Sequence, residues 1–126
     1  MLADTTAVAT VAAKDLAAAR RFYGETLGLP ELGRPDEEVT VYRSGNSTLN
    51  VYHSEFAGTN KATAVTWAVG DAFDSVVADL KRKGVRFERY DMPGVKMDGD
   101  VHVFDGNMRV VWFKDPDGNI LNVINR

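Results

Sequence analysis

Two histidines, His53 and His102, and no cysteine make up the imidazole and thiol resources of this chain. Without thiols, disulfides and thiolate chemistry are excluded, and a transition-metal site would need imidazole and carboxylate donors. His102 alternates with Val101 and Val103 and lies near Asp98, Asp100 and Asp105 in sequence. That grouping could supply a general base or a non-standard metal site, although no ligand spacing is met. His53 follows Tyr52 at a strand end, where a solvent-facing ring is the simpler reading. Two amides repeat in matched settings, Leu49-Asn50-Val51 and Leu121-Asn122-Val123. A neutral amide can hydrogen-bond a ligand in either sense but is a weak metal donor.

Strand alternation says which of these side chains share a face. Leu49, Val51, Leu121 and Val123 belong to a helix-covered face, so Asn50 and Asn122 point the other way. Tyr52 follows the parity of Asn50, and Trp112 stands opposite the core residue Phe113. Tyr42 has the parity of Thr40, opposite Val39 and Val41, and is expected beside the asparagines. Thr66 is expected there too, while Trp67 belongs to the core. Tyr42, Tyr52 and Trp112 would then line a site with aromatic surface and polar tips, suited to a planar or amphipathic small molecule. The opposing expectation for each is plain packing or a subunit contact.

The elements that must position these residues read clearly in places. Thr6 to Ala12 is a small-residue strand. Asp15 caps a helix carrying Leu16, Ala19, Tyr23 and Leu27 at helical spacing, and Gly28 with Pro30 ends it. A polar connector runs from Glu31 to Glu38. Strands follow at 39–42 and 48–52 around Gly45-Asn46, and Ser54 to Lys61 reads as a linker. Ala62 to Val69 is again a strand. Asp71 is expected to cap a helix with Phe73, Val76, Val77 and Leu80 on one face, stopped by Gly84. Val85 to Tyr90 reads as a strand and Asp91 to Gly99 as a loop. The stretch from Tyr90 to Gly99, with two glycines and two methionines, is expected either to fold over a pocket or to be a solvated connector. Short strands are expected at 101–104, 108–114 and 119–124. Asp115-Pro116-Asp117-Gly118 is a type I turn with a G1 bulge, which sets the register of the last hairpin.

The order strand, capped helix, glycine stop and Leu-Asn-Val strand occurs twice, with Asp15 and Asp71 as matching landmarks. Duplication follows, each half being βαβββ, with the first half's second strand weak in sequence around Pro30 to Gly33: about 5–53 and about 62–125 of one domain spanning 1–126. The chain of 126 residues can bury a core without staples, and its 44% hydrophobic and 26% charged content is that of an ordinary globular protein. A net charge of −3, without a basic run, argues against nucleic acid as a partner. No apolar run has the length of a membrane span, and Met1-Leu2-Ala3-Asp4 lacks a basic region ahead of an apolar stretch, so no membrane partner and a cytoplasmic location are expected.

The duplicated order, the ending Phe113-Lys114-Asp115-Pro116-Asp117-Gly118-Asn119-Ile120-Leu121, and the opening Lys14-Asp15-Leu16 through Arg21-Phe22-Tyr23 and Leu27-Gly28-Leu29 resemble the vicinal oxygen chelate superfamily. This group holds glyoxalases, extradiol dioxygenases, fosfomycin-resistance enzymes and bleomycin-resistance binding proteins. The resemblance implies an α+β fold in which two βαβββ modules form a cupped, incomplete eight-stranded mixed β-barrel with helices outside, completed in many members by a second subunit. It also implies a metal on the concave face, held from positions that are Val8, Ala64, Asn122 and sometimes Asn50 here. All four depart from the ligand pattern, because Val and Ala offer no lone pair and Asn no charge. The expectation is therefore a homodimer that uses no metal or other cofactor and binds a small organic molecule through Tyr42, Asn50, Tyr52, Thr66, His102, Trp112 and Asn122. The alternatives are an enzyme of the same superfamily, with an unusual metal arrangement or metal-free acid/base chemistry at His102, and an oligomeric scaffold without ligand.

Overall fold

The Asp15 carboxylate opens the first helix as its residue type requires, Oδ1 accepting from the backbone N–H of Ala18 at 3.1 Å. In the computed structural model, which describes residues 1–34 and 38–126, this helix α1 (Leu16–Arg20) continues directly into a π-helical turn, Arg21–Thr26. Leu27 N–H closes the turn on Phe22 O at 2.8 Å, and Gly28 leaves it at φ 73°. The second helix, α2 (Phe73–Arg82), starts differently from the expectation. Its N-cap is Ala72 at the end of a short 3₁₀ turn, Gly70–Ala72, and no side chain caps it. Asp71 lies within that turn and is no cap. Gly84, at φ 89°, follows the end of α2.

Among the described residues ten strands form two sheets. The first contains β1 (Ala9–Ala13), β2 (Glu31–Leu32), β3 (Val39–Ser44) and β4 (Ser47–His53) in the order β1-β4-β3-β2. The second contains β5 (Thr63–Ala68), β6 (Phe87–Glu88), β7 (Lys96–Asp98), β8 (Val101–Phe104), β9 (Met108–Lys114) and β10 (Ile120–Ile124). Its order is β5-β10-β9-β8-β7, with β6 also paired to β9. The two sheets share a topology: β1 is parallel to β4 as β5 is to β10, and β3 and β9 are the antiparallel neighbours of β4 and β10. The second sheet exceeds the expected count because the loop expected at 91–99 contributes β7, which pairs with β8. The weak second strand expected around Pro30 to Gly33 is β2, and residues 35–37 of the 31–38 connector lie outside the described residues.

One core joins both sheets and both helices. Ala19 and Tyr23 of α1 and its π turn, with Phe73 and Leu80 of α2, cluster with Val11, Leu49, Val51, Val111, Phe113, Leu121 and Val123. A register slip by one residue would expose Leu121 and Val123 together, at about 1.5–3 kcal/mol for each side chain, so the closing hairpin is held to its register. The turn does so through Gly118 N–H to Asp115 O and Asp115 N–H to Asn119 O, each 3.0 Å. The residues of opposite parity form the face of each sheet turned away from the helices, called the open face below.

Ser54 to Lys61 is more than a linker. Ala57 is buried, and Gly58 packs its α-carbon against the closing hairpin at Asp117 and Gly118.

Candidate functional site

The pairing of β10 with its two neighbours assembles the most informative group. Asn122 is the register partner of Trp112 on one side and of Thr66 on the other, so the three side chains share the open face of the second sheet. Asn122 is 8% exposed, yet its Oδ1 is buried with no hydrogen-bond partner among the described residues. Trp112 Nε1–H donates to Thr63 Oγ1 at 3.0 Å, which orients the indole. Around the indole stand His102 at 4.8 Å between ring centroids, Tyr90 at 5.5 Å and Phe104 at 6.3 Å, all edge to face.

His102 is fully buried in this cluster, and its Nε2 accepts the backbone N–H of Tyr90 at 2.9 Å. An accepting Nε2 puts the proton of the neutral ring on Nδ1, which has no partner. The lone pair that a general base needs is thus already engaged. The carboxylates near it in sequence are engaged elsewhere: Arg89 Nε donates to Asp100 Oδ1 at 2.9 Å and Arg109 Nη2 to Asp98 Oδ2 at 3.2 Å. His102, Asp100 and Asp105 do not form a metal-binding group, and no other three His, Asp or Glu side chains do so among the described residues.

Tyr90, the first residue of the stretch that could fold over a pocket, and Phe104 join the residues named from the sequence. Phe104 shares the parity of His102, a signal present in the sequence. Tyr90 had no such parity signal, because it arrives through β6 and β8 both pairing with β9, at Phe113 and Trp112 and at Val110 and Met108 respectively. Burial raises the ionisation of its phenol above the ordinary range, with the charge of Glu88 adding to the effect.

The first sheet holds the other expected residues, and one is on the wrong face. Asn50 and Tyr52 lie on the open face, half-buried and exposed respectively. Tyr42 does not join them. Its register partner is Leu49, and Thr40 pairs with Val51, so both residues point into the core. Tyr42 is 1% exposed and packs on Tyr23 with ring centroids 6.0 Å apart. Alternation separates two faces but does not say which is inward; Val39 and Val41 looked like the core pair, and the register with β4 reverses that. No hydrogen bond or ring contact joins Asn50 or Tyr52 to Thr66, His102, Trp112 or Asn122 among the described residues. Trp67 packs against the core as expected, its Nε1–H donating to Ser44 Oγ at 2.9 Å.

An apolar cleft of ≈ 280 Å³ lies elsewhere, on the helix side, between Leu27, Leu29, Val76, Leu80 and Trp67 over a floor of Phe113 and Val123. Of the open-face residues Arg43 borders it, whereas Asn50, Tyr52, Thr66, His102, Trp112 and Asn122 do not.

Residues 5–123 match the family model described as the Glyoxalase/Bleomycin resistance protein/Dioxygenase superfamily. The chain belongs to this superfamily. No curated protein matches it. Among solved structures it is similar to lactoylglutathione lyase from Agrobacterium tumefaciens, at 16% identity over 96% of this chain and 92% of that one, with TM-score 0.73. A glyoxalase/bleomycin resistance protein from Catenulispora acidiphila gives 24% identity, coverage of 96% and 97%, and TM-score 0.72. A bleomycin-binding protein complexed with bleomycin gives 17% identity, coverage of 98% of both chains, and TM-score 0.71. At these identities the likeness establishes the α+β fold.

For a member of this superfamily the metal is the first chemical question. The positions that the superfamily resemblance implies for one are Val8, Asn50, Ala64 and Asn122 in this chain, and these side chains offer neither imidazole nor carboxylate. Two amide oxygens on different sheets do not fit a divalent cation, which needs several anionic or imidazole donors. No step of a mechanism is therefore routed through a metal here.

Proposed function

We propose that this superfamily member is a metal-free small-molecule-binding protein of the glyoxalase/bleomycin-resistance type. Its two modules, about 5–53 and about 62–125, form a cupped, incomplete barrel whose concave lining is the two open faces, and it works as a homodimer in the cytoplasm. The single observation that carries this reading is the buried Oδ1 of Asn122, without a hydrogen-bond partner among the described residues, beside the indole of Trp112. Leaving a buried acceptor unpaired costs about 1–3 kcal/mol. A ligand N–H or O–H that displaces the side chains covering that oxygen would recover the cost, with its ring against the indole. Thr66, Asn50 and Tyr52 complete the lining, and His102 contributes shape and a Nδ1–H donor.

The test is a thermal-shift screen of planar amphipathic compounds on the purified protein, with metal analysis of protein prepared without chelator. A ligand at 100 times its Kd should add about 2.7 kcal/mol of stability. Asn122→Leu should stabilise the free protein by about 1 kcal/mol, since it removes the orphan acceptor, while erasing the ligand response. Trp112→Ala should erase the response as well. Stoichiometric bound metal, or a ligand response indifferent to both substitutions, would overturn the proposal.

A further inference from the structure

Arg43 is the register partner of Thr48, so the two side chains share the open face of the first sheet. Arg20, Arg82, Arg89 and Arg109 each have a carboxylate partner. Arg43, like Arg21, Arg34, Arg86 and Arg126, has none among the described residues, although the chain carries eighteen acidic residues against fifteen basic ones. It lines a surface groove of ≈ 420 Å³ that shares Gly45, Ser47 and Thr48 with a second crevice of ≈ 380 Å³. The crevice reaches across to Thr66 and Trp67 of the second sheet. Among the described residues no aspartate or glutamate lines either one.

Donors predominate around this seam. The hydroxyls of Thr48 and Thr66 make no hydrogen bond among the described residues. Ser44 Oγ accepts from Trp67 at 2.9 Å, which leaves its own proton free to donate. A guanidinium without a counter-charge, beside hydroxyls and away from carboxylates, is complementary to an oxyanion. A carboxylate or phosphate can take two parallel N–H bonds from Arg43 and a further one from a hydroxyl. A cationic ligand would meet repulsion at the same place.

We infer that the seam at Arg43, Thr48 and Thr66 is an oxyanion subsite, and that the ligand is a small organic carboxylate or phosphate. The inference rests on the small-molecule reading above and adds the charge of the ligand and the residue that selects it. Thr66 belongs to both regions: it is the register partner of Asn122 and a wall of the crevice. A ligand anchored at Arg43 therefore has its apolar body directed along the open face toward Asn122 and Trp112.

The probes are inorganic phosphate, acetate, and the pair 1-naphthaleneacetate and its neutral amide, followed by ¹H–¹⁵N NMR on the intact protein. Phosphate or acetate should shift the amide signals of Ser47, Thr48 and Thr66 saturably at low ionic strength. The stronger of the two names the anion class. Arg43→Gln, at an exposed position, should keep a dispersed spectrum and lose those shifts, whereas Trp112→Ala should keep them. The naphthyl acid should bind about tenfold more tightly than its amide, and Arg43→Gln should erase that preference without weakening the amide. Equal binding of acid and amide, or anion shifts that survive Arg43→Gln, would overturn the subsite and leave the small-molecule reading standing. No anion shift up to tens of millimolar would overturn it as well. Anion shifts with no naphthyl binding would instead keep the subsite and count against the aromatic reading.

Discussion

The phenol of Tyr23 donates a 2.7 Å hydrogen bond to Oδ2 of Asp115, across 92 residues of sequence. Asp115 is 5% exposed, and the same carboxylate accepts from the backbone N–H groups of Asp117 and Asn119 and from Asn119 Nδ2 at 2.8–2.9 Å. Asn119 Nδ2 also donates to Ala12 O at 2.7 Å, and Asp117 Oδ1 accepts from Lys14 N–H at 2.9 Å. One turn residue thus joins the closing hairpin to the π turn after α1, while its neighbours join the hairpin to β1 and the loop after it. A buried carboxylate is tolerable because four donors satisfy it.

Removing the two ends of this bond should not cost the same. Tyr23→Phe leaves Asp115 with its three other donors and should lower stability by about 1–2 kcal/mol. Asp115→Ala orphans the phenol together with the turn amides and should cost about 3 kcal/mol or more. Urea denaturation of both single variants and the double variant checks the order. In the double variant the two losses should fall short of adding, because the groups share one interaction.

Alkaline pH should destabilise the fold through the same residue. Burial, and then the charge of Asp115, push the ionisation of Tyr23 far above the ordinary value of 10.0. The raised folded-state pKa means that its contribution is complete below pH 10.0, where both states hold the proton. Above that pH the unfolded chain releases the proton while the folded chain keeps it, so stability falls. The slope for this one group is about 1.4 kcal/mol per pH unit. Stability measured from about pH 9 to about pH 11 should fall less steeply in Tyr23→Phe. Identical slopes for the two proteins would refute the assignment.

Two glycines with similar backbone angles should respond unequally to alanine. Gly28 and Gly58 have φ of 73° and 76°. A Cβ on Gly28 meets nothing within 4 Å, whereas one on Gly58 would lie 1.9 Å from the backbone oxygen of Asp117. Gly28→Ala should therefore cost only the left-handed backbone penalty, about 1–2 kcal/mol. Gly58→Ala adds an overlap with backbone that cannot rotate away, about a further 1–3 kcal/mol. Thermal unfolding of the two variants compares them directly, and equal losses would mean that the 54–61 segment does not pack on the hairpin.

Much of the fold was legible because its signals are local. Asp15 caps α1 through a bond that closes within three residues. The Asp115-Pro116-Asp117-Gly118 turn closes within four residues, and it aims Asn122 and Trp112 at the open face as alternation requires. Asp71 shows the limit of such signals: a capping residue type stood at the right spacing, but a 3₁₀ turn starts α2 from Ala72 instead.

The sequence by itself determined most of the order of elements, the closing turn, the superfamily resemblance and the uncharged residue types at Val8, Ala64, Asn50 and Asn122. Those follow from residue type and short-range geometry. Only the tertiary structure decided which face of β3 is inward, sending Tyr42 into the core. It alone placed Tyr90 beside His102, left Asn122 Oδ1 without a partner, and set Thr48 and Thr66 in one crevice near Arg43. Each of these depends on register between strands or on contact between sheets. Such pairings are fixed by the sum of many weak contacts far apart in the chain, and no single stretch of sequence records that sum.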